Sequence, residues 1–341
     1  MTFRLCVATA TANNVEYYKS AFSKHLSHLA KSITLGSAPL DFQEAKNSGD
    51  AIILFVEGAV GHDAIKDLCD DYNLPKERRR VRWVYSLTAG VDVYRLGLLT
   101  KELKDIPFAN GHGCYSPILA EHVIYSMLYF NRQTWRLLAS RAEHKWDPFN
   151  MIELRGQKMG IIGYGDIGHA TAKLAVTMGM EVTGVKRSAP TANVDEYGVH
   201  VVHGDAARDR VLRESDFVVN ILPGTEETRE FFNKERFALM KPSAIYINIG
   251  RGLTQNEEHL ACALRDGVIA GAAVDVFTKE PFPPESPLWN IGDDKLLLSA
   301  HSADRTADLV PSSVRRFIGL VEKYVETGKL DTYLVDLARG Y

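Results

Sequence analysis

The chain has 341 residues, 45% of them hydrophobic and 24% charged, with a formal net charge of −3. That length suits two ordinary domains better than one, and the composition is that of a globular protein able to bury a core. The near balance of charge gives no reason to expect nucleic acid or an anionic membrane as partner, and no run approaches the ~20 apolar residues of a membrane span.

In chain order, RLCVAT (4–9), DAIILFV (50–56) and RWVYSL (82–87) read as buried parallel strands with amphipathic stretches between them. The start, MTFRLCVATATANN, shows no secretory leader, so a cytoplasmic protein is expected. Cys6, Cys69, Cys114 and Cys262 have no metal-binding spacing and read as reduced thiols; no metal site is expected. The basic run KERRR (76–80) reads as a solvated helix end or loop. An amphipathic stretch follows at 116–138, with Pro117 suited to a first helical position. A second strand series then runs through KMGIIG (158–163), EVTGV (181–185), FVVNIL (217–222), AIYINI (244–249), AGAAVDVF (270–277) and KLLLSA (295–300). A last amphipathic stretch begins near Asp304 and runs through 312–325. The βαβ alternation implies helices on both faces of a mostly parallel sheet.

Gly163, Gly165 and Gly168 form GxGxxG directly after an apolar strand and before an alanine-rich helical pattern. Gly163 permits the tight turn, Gly165 lets backbone approach a pyrophosphate, and Gly168 lets helix and strand pack closely. The expected fold is α/β, with two Rossmann-like doubly wound parallel-sheet domains. The dinucleotide-binding domain, 114–303, is inserted into a substrate (lid) domain made of 1–113 and 304–341. Two crossings between the lobes predict that they close over the substrate. The second strand of the inserted domain ends in Lys186, Arg187 and Ser188, where NAD sites usually carry an acid; Glu181 lies at the wrong end. Basic residues pair with a 2′-phosphate, so NADP(H) is favoured, with NAD(H) open.

Arg251, Glu280 and His301 each stand just beyond a predicted strand, the edge at which open α/β sheets bind ligands. Hydride transfer to a carbonyl carbon requires a proton for its oxygen, a task suited to histidine. A carboxylate bonded to that imidazole orients it and favours its charged form, and a guanidinium grips a substrate carboxylate with two hydrogen bonds. Taken singly, each has an ordinary structural explanation; together with GxGxxG they form a set.

The segments LTAGVD (87–92), GCYSPILAEH (113–122), GIIGYGDIG (160–168), 222–252, AGAAVDVFTKEP (270–281) and 286–304 resemble the D-isomer-specific 2-hydroxyacid dehydrogenase family, in its order and spacing. The resemblance implies that Arg251 binds substrate, Glu280 supports the histidine and His301 is the acid/base. It implies that backbone N–H groups of Ala89 and Gly90 hold the substrate carboxylate, and that Asp275 holds the nicotinamide carboxamide. Asp166 and Ile167 would lie over the pyrophosphate, Leu222, Pro223 and Thr228 along the adenosine side, and Ile249 and Gly250 beside the nicotinamide. It also implies a homodimer.

Three residues depart from the family pattern: Ala300 precedes the histidine where proline is usual, Asn256 replaces a helix-starting Asp, and Gly224 replaces a leucine, which would loosen the adenosine-side turn. The reading is a reductase of a small 2-keto acid such as glyoxylate or hydroxypyruvate. Neither an extra basic cluster for a phosphorylated acid nor an appended regulatory domain is visible. Glu280 argues against the formate dehydrogenase relatives. A nucleotide-sensing, corepressor-like binding protein on the same scaffold stands as the alternative.

Overall fold

The computed structural model describes residues 2–337 and 339–340. Its chain divides into two compact units, Met1–Cys114 with Thr306–Tyr341, and Tyr115–Arg305.

The first unit opens with β1 (Phe3–Ala8), α1 (Ala12–Leu26), β2 (Ala30–Gly36), α2 (Gln43–Asn47), β3 (Ile52–Val56), α3 (Val60–Leu68), β4 (Val81–Ser86) and β5 (Phe108–Ala109). The five strands form a parallel sheet in the order β2-β1-β3-β4-β5. Its central strands are buried on both faces. Ile52, Leu54 and Val56 join a core with Ala64, Ile65 and Leu68 of α3, whereas Ile53 and Phe55 join Tyr18, Phe22 and Leu26 of α1 on the other side. A strand covered twice needs apolar residues at every position, which is why these runs are continuous rather than alternating.

The second unit carries α4 (Ser116–Asn131), α5 (Thr134–Ala142), β6 (Lys158–Ile162), α6 (Asp166–Thr177), β7 (Glu181–Lys186) and β8 (His200–His203). It continues through α7 (Asp205–Glu214), β9 (Phe217–Asn220), α8 (Lys234–Phe237), β10 (Ile245–Asn248), α9 (Glu257–Arg265), β11 (Gly271–Val274) and β12 (Leu296–Leu298). All neighbours are parallel, in the order β12-β11-β10-β9-β6-β7-β8. The strand order reverses between β6 and β9, and the carboxyl edge at such a switch point is where doubly wound sheets bind ligands.

The chain then returns to the first unit as α10 (Leu309–Thr327). Its Phe317 ring lies 5.4 Å from Phe22, 5.1 Å from Phe55 and 5.2 Å from Tyr85, centroid to centroid. Ser313 of the same helix donates to the Leu87 carbonyl at 2.7 Å. Burying one such ring contributes roughly 1.5–3 kcal/mol, so the C-terminal helix belongs to the core of the first unit.

The amphipathic stretch 116–138 forms two helices: α4 ends at Asn131, Gln133 takes φ +49, and α5 starts at Thr134. One local expectation needs correcting, because KERRR is not solvated throughout. Arg79 is buried, donating to the carbonyls of Leu74 (3.0 Å), Tyr72 (2.8 Å) and Lys104. A guanidinium is tolerated there because its fork of donors finds carbonyl acceptors. Cys6, Cys69 and Cys114 are buried and Cys262 is exposed, all as free thiols. Among the described residues no helix is long and apolar enough to cross a membrane, and no group of three or more His, Cys, Asp or Glu is placed to hold a metal ion.

Candidate active site

The glycine loop fills the gap between β6 and α6. Gly163 takes φ +102, and a Cβ there would lie 2.7 Å from the Ile221 carbonyl oxygen, so only glycine fits. Gly165 precedes α6 without a side-chain cap, and a Cβ on it would meet nothing within 4 Å. Open space in front of uncapped N–H groups at a helix N-terminus is what a pyrophosphate requires. Gly168 faces back onto the turn, where a Cβ would sit 3.1 Å from the Gly163 carbonyl oxygen. Asp166 and Ile167 form the first turn of α6, and the Ser116 hydroxyl donates to the Asp166 carboxylate. These residues fit a dinucleotide.

At the carboxyl end of the neighbouring strand, Lys186 ends β7 and Arg187 and Ser188 follow it, exposed. The Arg187 Nη2 lies 3.0 Å from Oε1 and 2.9 Å from Oε2 of Glu227. The segment beyond Ser188 is pinned by Asp195, which accepts from the Tyr164 hydroxyl at 2.5 Å and from the N–H groups of Tyr197 and Val199 at 2.9 and 3.0 Å.

Across the loop after β9, the Leu222 N–H donates to Asn220 Oδ1 at 3.1 Å, the Thr228 hydroxyl donates to the Pro223 carbonyl at 2.6 Å, and the Thr225 N–H donates to Thr228 Oγ1 at 3.0 Å. Gly224 therefore does not loosen this turn. Its missing side chain serves Arg251 instead: a Cβ at 224 would lie 3.1 Å from Arg251 Cγ.

Arg251 follows β10, within INIGRG. Its Nη1 donates to the Gly250 carbonyl at 2.9 Å, and its own carbonyl accepts from Thr254 Oγ1 at 2.6 Å. Ile249 and Gly250 lead into it, the Ile249 N–H donating to the Asn220 carbonyl at 3.2 Å. Downstream, Asn256 caps α9 by accepting from the His259 N–H at 2.9 Å, as an Asp would.

Glu280 and His301 meet. Glu280 Oε2 lies 2.7 Å from His301 Nδ1, and Oε1 accepts from the Phe277 N–H at 3.0 Å, fixing the carboxylate. Both side chains remain partly open, 36% and 41% exposed. With Nδ1–H given to the carboxylate, the other ring nitrogen, Nε2, is left to exchange a proton. His301 takes φ +47, a conformation that a non-glycine residue holds only when its surroundings enforce it. Asp275 enforces it. The buried Asp275 accepts the His301 N–H at its carbonyl (2.8 Å), and its Oδ1 accepts from Ser299 Oγ (2.6 Å), Ser302 N–H (2.9 Å) and Ala303 N–H (3.2 Å). Asp304, next in the loop, is pushed above the usual carboxylate range by burial, against the opposing charge of His301.

Ala89 and Gly90 lie in the first unit, just past β4. Their carbonyls are fixed by Asn110 Nδ2 (2.6 Å) and Thr88 Oγ1 (2.8 Å), which sets the peptide planes.

Comparison with known proteins adds the family. Residues 124–303 match the family described as D-isomer specific 2-hydroxyacid dehydrogenase, NAD binding domain. The glyoxylate reductase of Pyrococcus furiosus is 32% identical over 274 residues, 80% of this chain and 73% of that protein. The chain belongs to the D-isomer-specific 2-hydroxyacid dehydrogenase family. The match to the glyoxylate reductase of Thermococcus onnurineus is closer in identity, 39%, but spans 163 residues, 47% of each chain, or about half the length of that relative. Among solved structures, the NADPH-dependent glyoxylate/hydroxypyruvate reductase of Sinorhizobium meliloti, in complex with NADP and sulfate, is 28% identical with a TM-score of 0.77, covering 99% of this chain and 100% of that one.

The dehydrogenase also holds a buried polar girdle that its sequence pattern did not single out. Asn220 Nδ2 donates to Tyr246 Oη (2.9 Å) and Thr254 Oγ1 (2.7 Å); Asn248 Nδ2 donates to Gln255 Oε1 (2.9 Å), and Gln255 Nε2 donates to the Val276 carbonyl (3.3 Å). Asn248 Oδ1 accepts the Gly250 N–H at 3.0 Å. Each asparagine ends an otherwise apolar strand two residues before a proposed ligand contact, Leu222 or Gly250. A polar residue closing such a run is the signal that could have found them. Burial lowers His122, on α4, below the usual imidazole range, with the Asp275 charge opposing.

Proposed function

We propose that this dehydrogenase reduces a small 2-keto acid, glyoxylate or hydroxypyruvate, to the D-2-hydroxy acid with NADPH, the second unit binding the dinucleotide. The observation that carries the reading is the Glu280–His301 contact of 2.7 Å in the same unit as the glycine loop. The NADP complex of the S. meliloti reductase supports the cofactor, as do Lys186, Arg187 and Ser188 in place of an acid.

In this reading Gly163, Gly165 and the first turn of α6 hold the pyrophosphate, Leu222, Pro223 and Thr228 line the adenosine, and Ile249, Gly250 and Asp275 flank the nicotinamide. When bound, the reduced nicotinamide supplies the hydride. Arg251 grips the keto acid and polarises its carbonyl, with the backbone of Ala89 and Gly90 on the carboxylate. His301, as imidazolium, gives its Nε2 proton to the carbonyl oxygen and keeps Nδ1–H on Glu280. Asp275 holds the loop that aims the ring.

Initial rates with glyoxylate, hydroxypyruvate, pyruvate and phenylpyruvate, each with NADPH and NADH, test the assignment. Turnover highest on the first two is expected; cofactor binding without turnover on any of the four would favour a nucleotide-sensing protein instead. Arg187→Ala is expected to weaken NADPH selectively, by roughly 1–3 kcal/mol for a charge-assisted contact. Equal effects on both cofactors in a binding titration would remove Arg187 from the phosphate site.

Glu280→Gln keeps the shape but removes the charge beside His301. The imidazole is then held without a facing negative charge, so kcat for reduction is expected to fall while NADPH binding is kept. An unchanged kcat would dissociate Glu280 from proton delivery.

A further inference from the structure

We propose that Glu227 is a cofactor-specificity residue, its carboxylate competing with the 2′-phosphate of NADPH for the Arg187 guanidinium. The inference rests on the reading of Arg187 as the phosphate ligand and adds the residue that opposes it.

The pair is placed for this. Arg187 follows β7, and Glu227 lies in the 3-10 turn Glu226–Thr228 after β9. β7 and β9 are the two neighbours of β6, the strand that runs into the glycine loop. The ion pair therefore joins the loops on either side of the dinucleotide edge, 40 residues apart in sequence, through both carboxylate oxygens. The adenosine of a dinucleotide on this edge lies between the same two loops.

The contact is not needed to hold the turn. Thr228 closes it by accepting from the Thr225 N–H and donating to the Pro223 carbonyl, without the Glu227 side chain. The neighbouring Glu226 is already taken by Arg229, at 2.6 and 2.9 Å. Arg187 and Glu227 are each 64% exposed. Exposed pairs are weak and easily exchanged, so a doubly charged phosphate can displace Glu227, though it does so against competition and against a carboxylate left nearby. NADH has no such phosphate and leaves the pair intact. Glu227 thus narrows the preference for NADPH, supplying from β9 a carboxylate that the end of β7 lacks.

Dissociation constants of the full-length protein for NADPH and NADH, read from nicotinamide fluorescence, test this in Glu227→Gln, Arg187→Ala and the double variant. Glu227→Gln is expected to tighten NADPH roughly two- to fivefold, the scale of an exposed ion pair, and to leave NADH unchanged. In the Arg187→Ala background the same change should give no gain, because the competition needs the guanidinium. If Glu227→Gln leaves NADPH unchanged or weaker while Arg187→Ala weakens it, the competition is overturned and the phosphate ligand stands. A gain that persists without Arg187 overturns it too, as general charge repulsion. If Arg187→Ala changes neither cofactor, the phosphate reading itself fails and takes the competition with it.

Discussion

His301→Ala is expected to lower kcat for keto-acid reduction by roughly 10²–10⁴-fold, the range for loss of a positioned general acid, while NADPH still binds. The two effects separate because the residues involved sit on different elements. His301 stands after β12, bonded at Nδ1 to Glu280 (2.7 Å) and by its N–H to the Asp275 carbonyl (2.8 Å). The glycine loop and the basic turn belong to β6 and β7. Alanine keeps the backbone N–H, and Asp275 continues to accept from Ser299, Ser302 and Ala303, so the loop retains its anchor. What disappears is the one ring that Glu280 orients. Rates with saturating NADPH, beside a fluorescence titration of the cofactor, give the comparison. A variant that keeps kcat within fivefold of the parent would mean that another group, or water, delivers the proton.

Much of this fold and site is legible in the sequence, and what is not has physical causes. The strands read from sequence are the interior strands of the two sheets, whose middle positions are mostly buried and apolar, together with Leu296–Leu298 at one edge. The three that escaped are all edge strands: Ala30–Gly36, Phe108–Ala109 and His200–His203. AKSITLG is only partly covered and so tolerates Lys31, Ser32 and Gly36, HVVH has too short an apolar run to stand out, and Phe108–Ala109 is buried but only two residues long. The site divides in a similar way. Glu280 and His301 could be picked out because each stands just past a strand, and their contact across 21 residues follows from β11 and β12 being neighbours. Arg187 could be picked out in the same way, at the end of β7, but its partner Glu227 carries no comparable mark until the order of β7, β6 and β9 brings their loops side by side. The break after Asn131 was invisible because the apolar period runs on through Trp135 and Leu138 while the backbone turns at Gln133.

Gly252→Ala is expected to damage the site as severely, from a residue with no chemistry of its own. Gly252 follows Arg251, and a Cβ added to it would fall inside the van der Waals radius of the Phe277 backbone. Backbone cannot swing aside like a side chain, so the turn after β10 and the segment after β11 must separate. The two are laced together at this point: Thr278 Oγ1 donates to the Gly252 carbonyl (3.4 Å), Gln255 Nε2 donates to the Val276 carbonyl (3.3 Å), and the Phe277 N–H fixes Glu280 Oε1 (3.0 Å). Forcing an extra carbon into such packing costs typically 1–3 kcal/mol, occasionally more, and in a unit of this size each kcal/mol lowers the unfolding midpoint by ~2–4 °C. Activity should fall further than stability, because the displacement moves Arg251 against Glu280 and, through it, His301. A misplacement of about 1 Å in such a constellation is worth roughly 10²-fold in rate. Gly319→Ala supplies the contrast. It lies exposed within α10, a Cβ there meets nothing within 4 Å, and alanine should be neutral or stabilising by roughly 0.5–1 kcal/mol. Calorimetric midpoints and kcat/KM of the two variants are the measurement. If Gly252→Ala matched Gly319→Ala in both, the close approach of the two segments would not be what holds Arg251 and Glu280 in place.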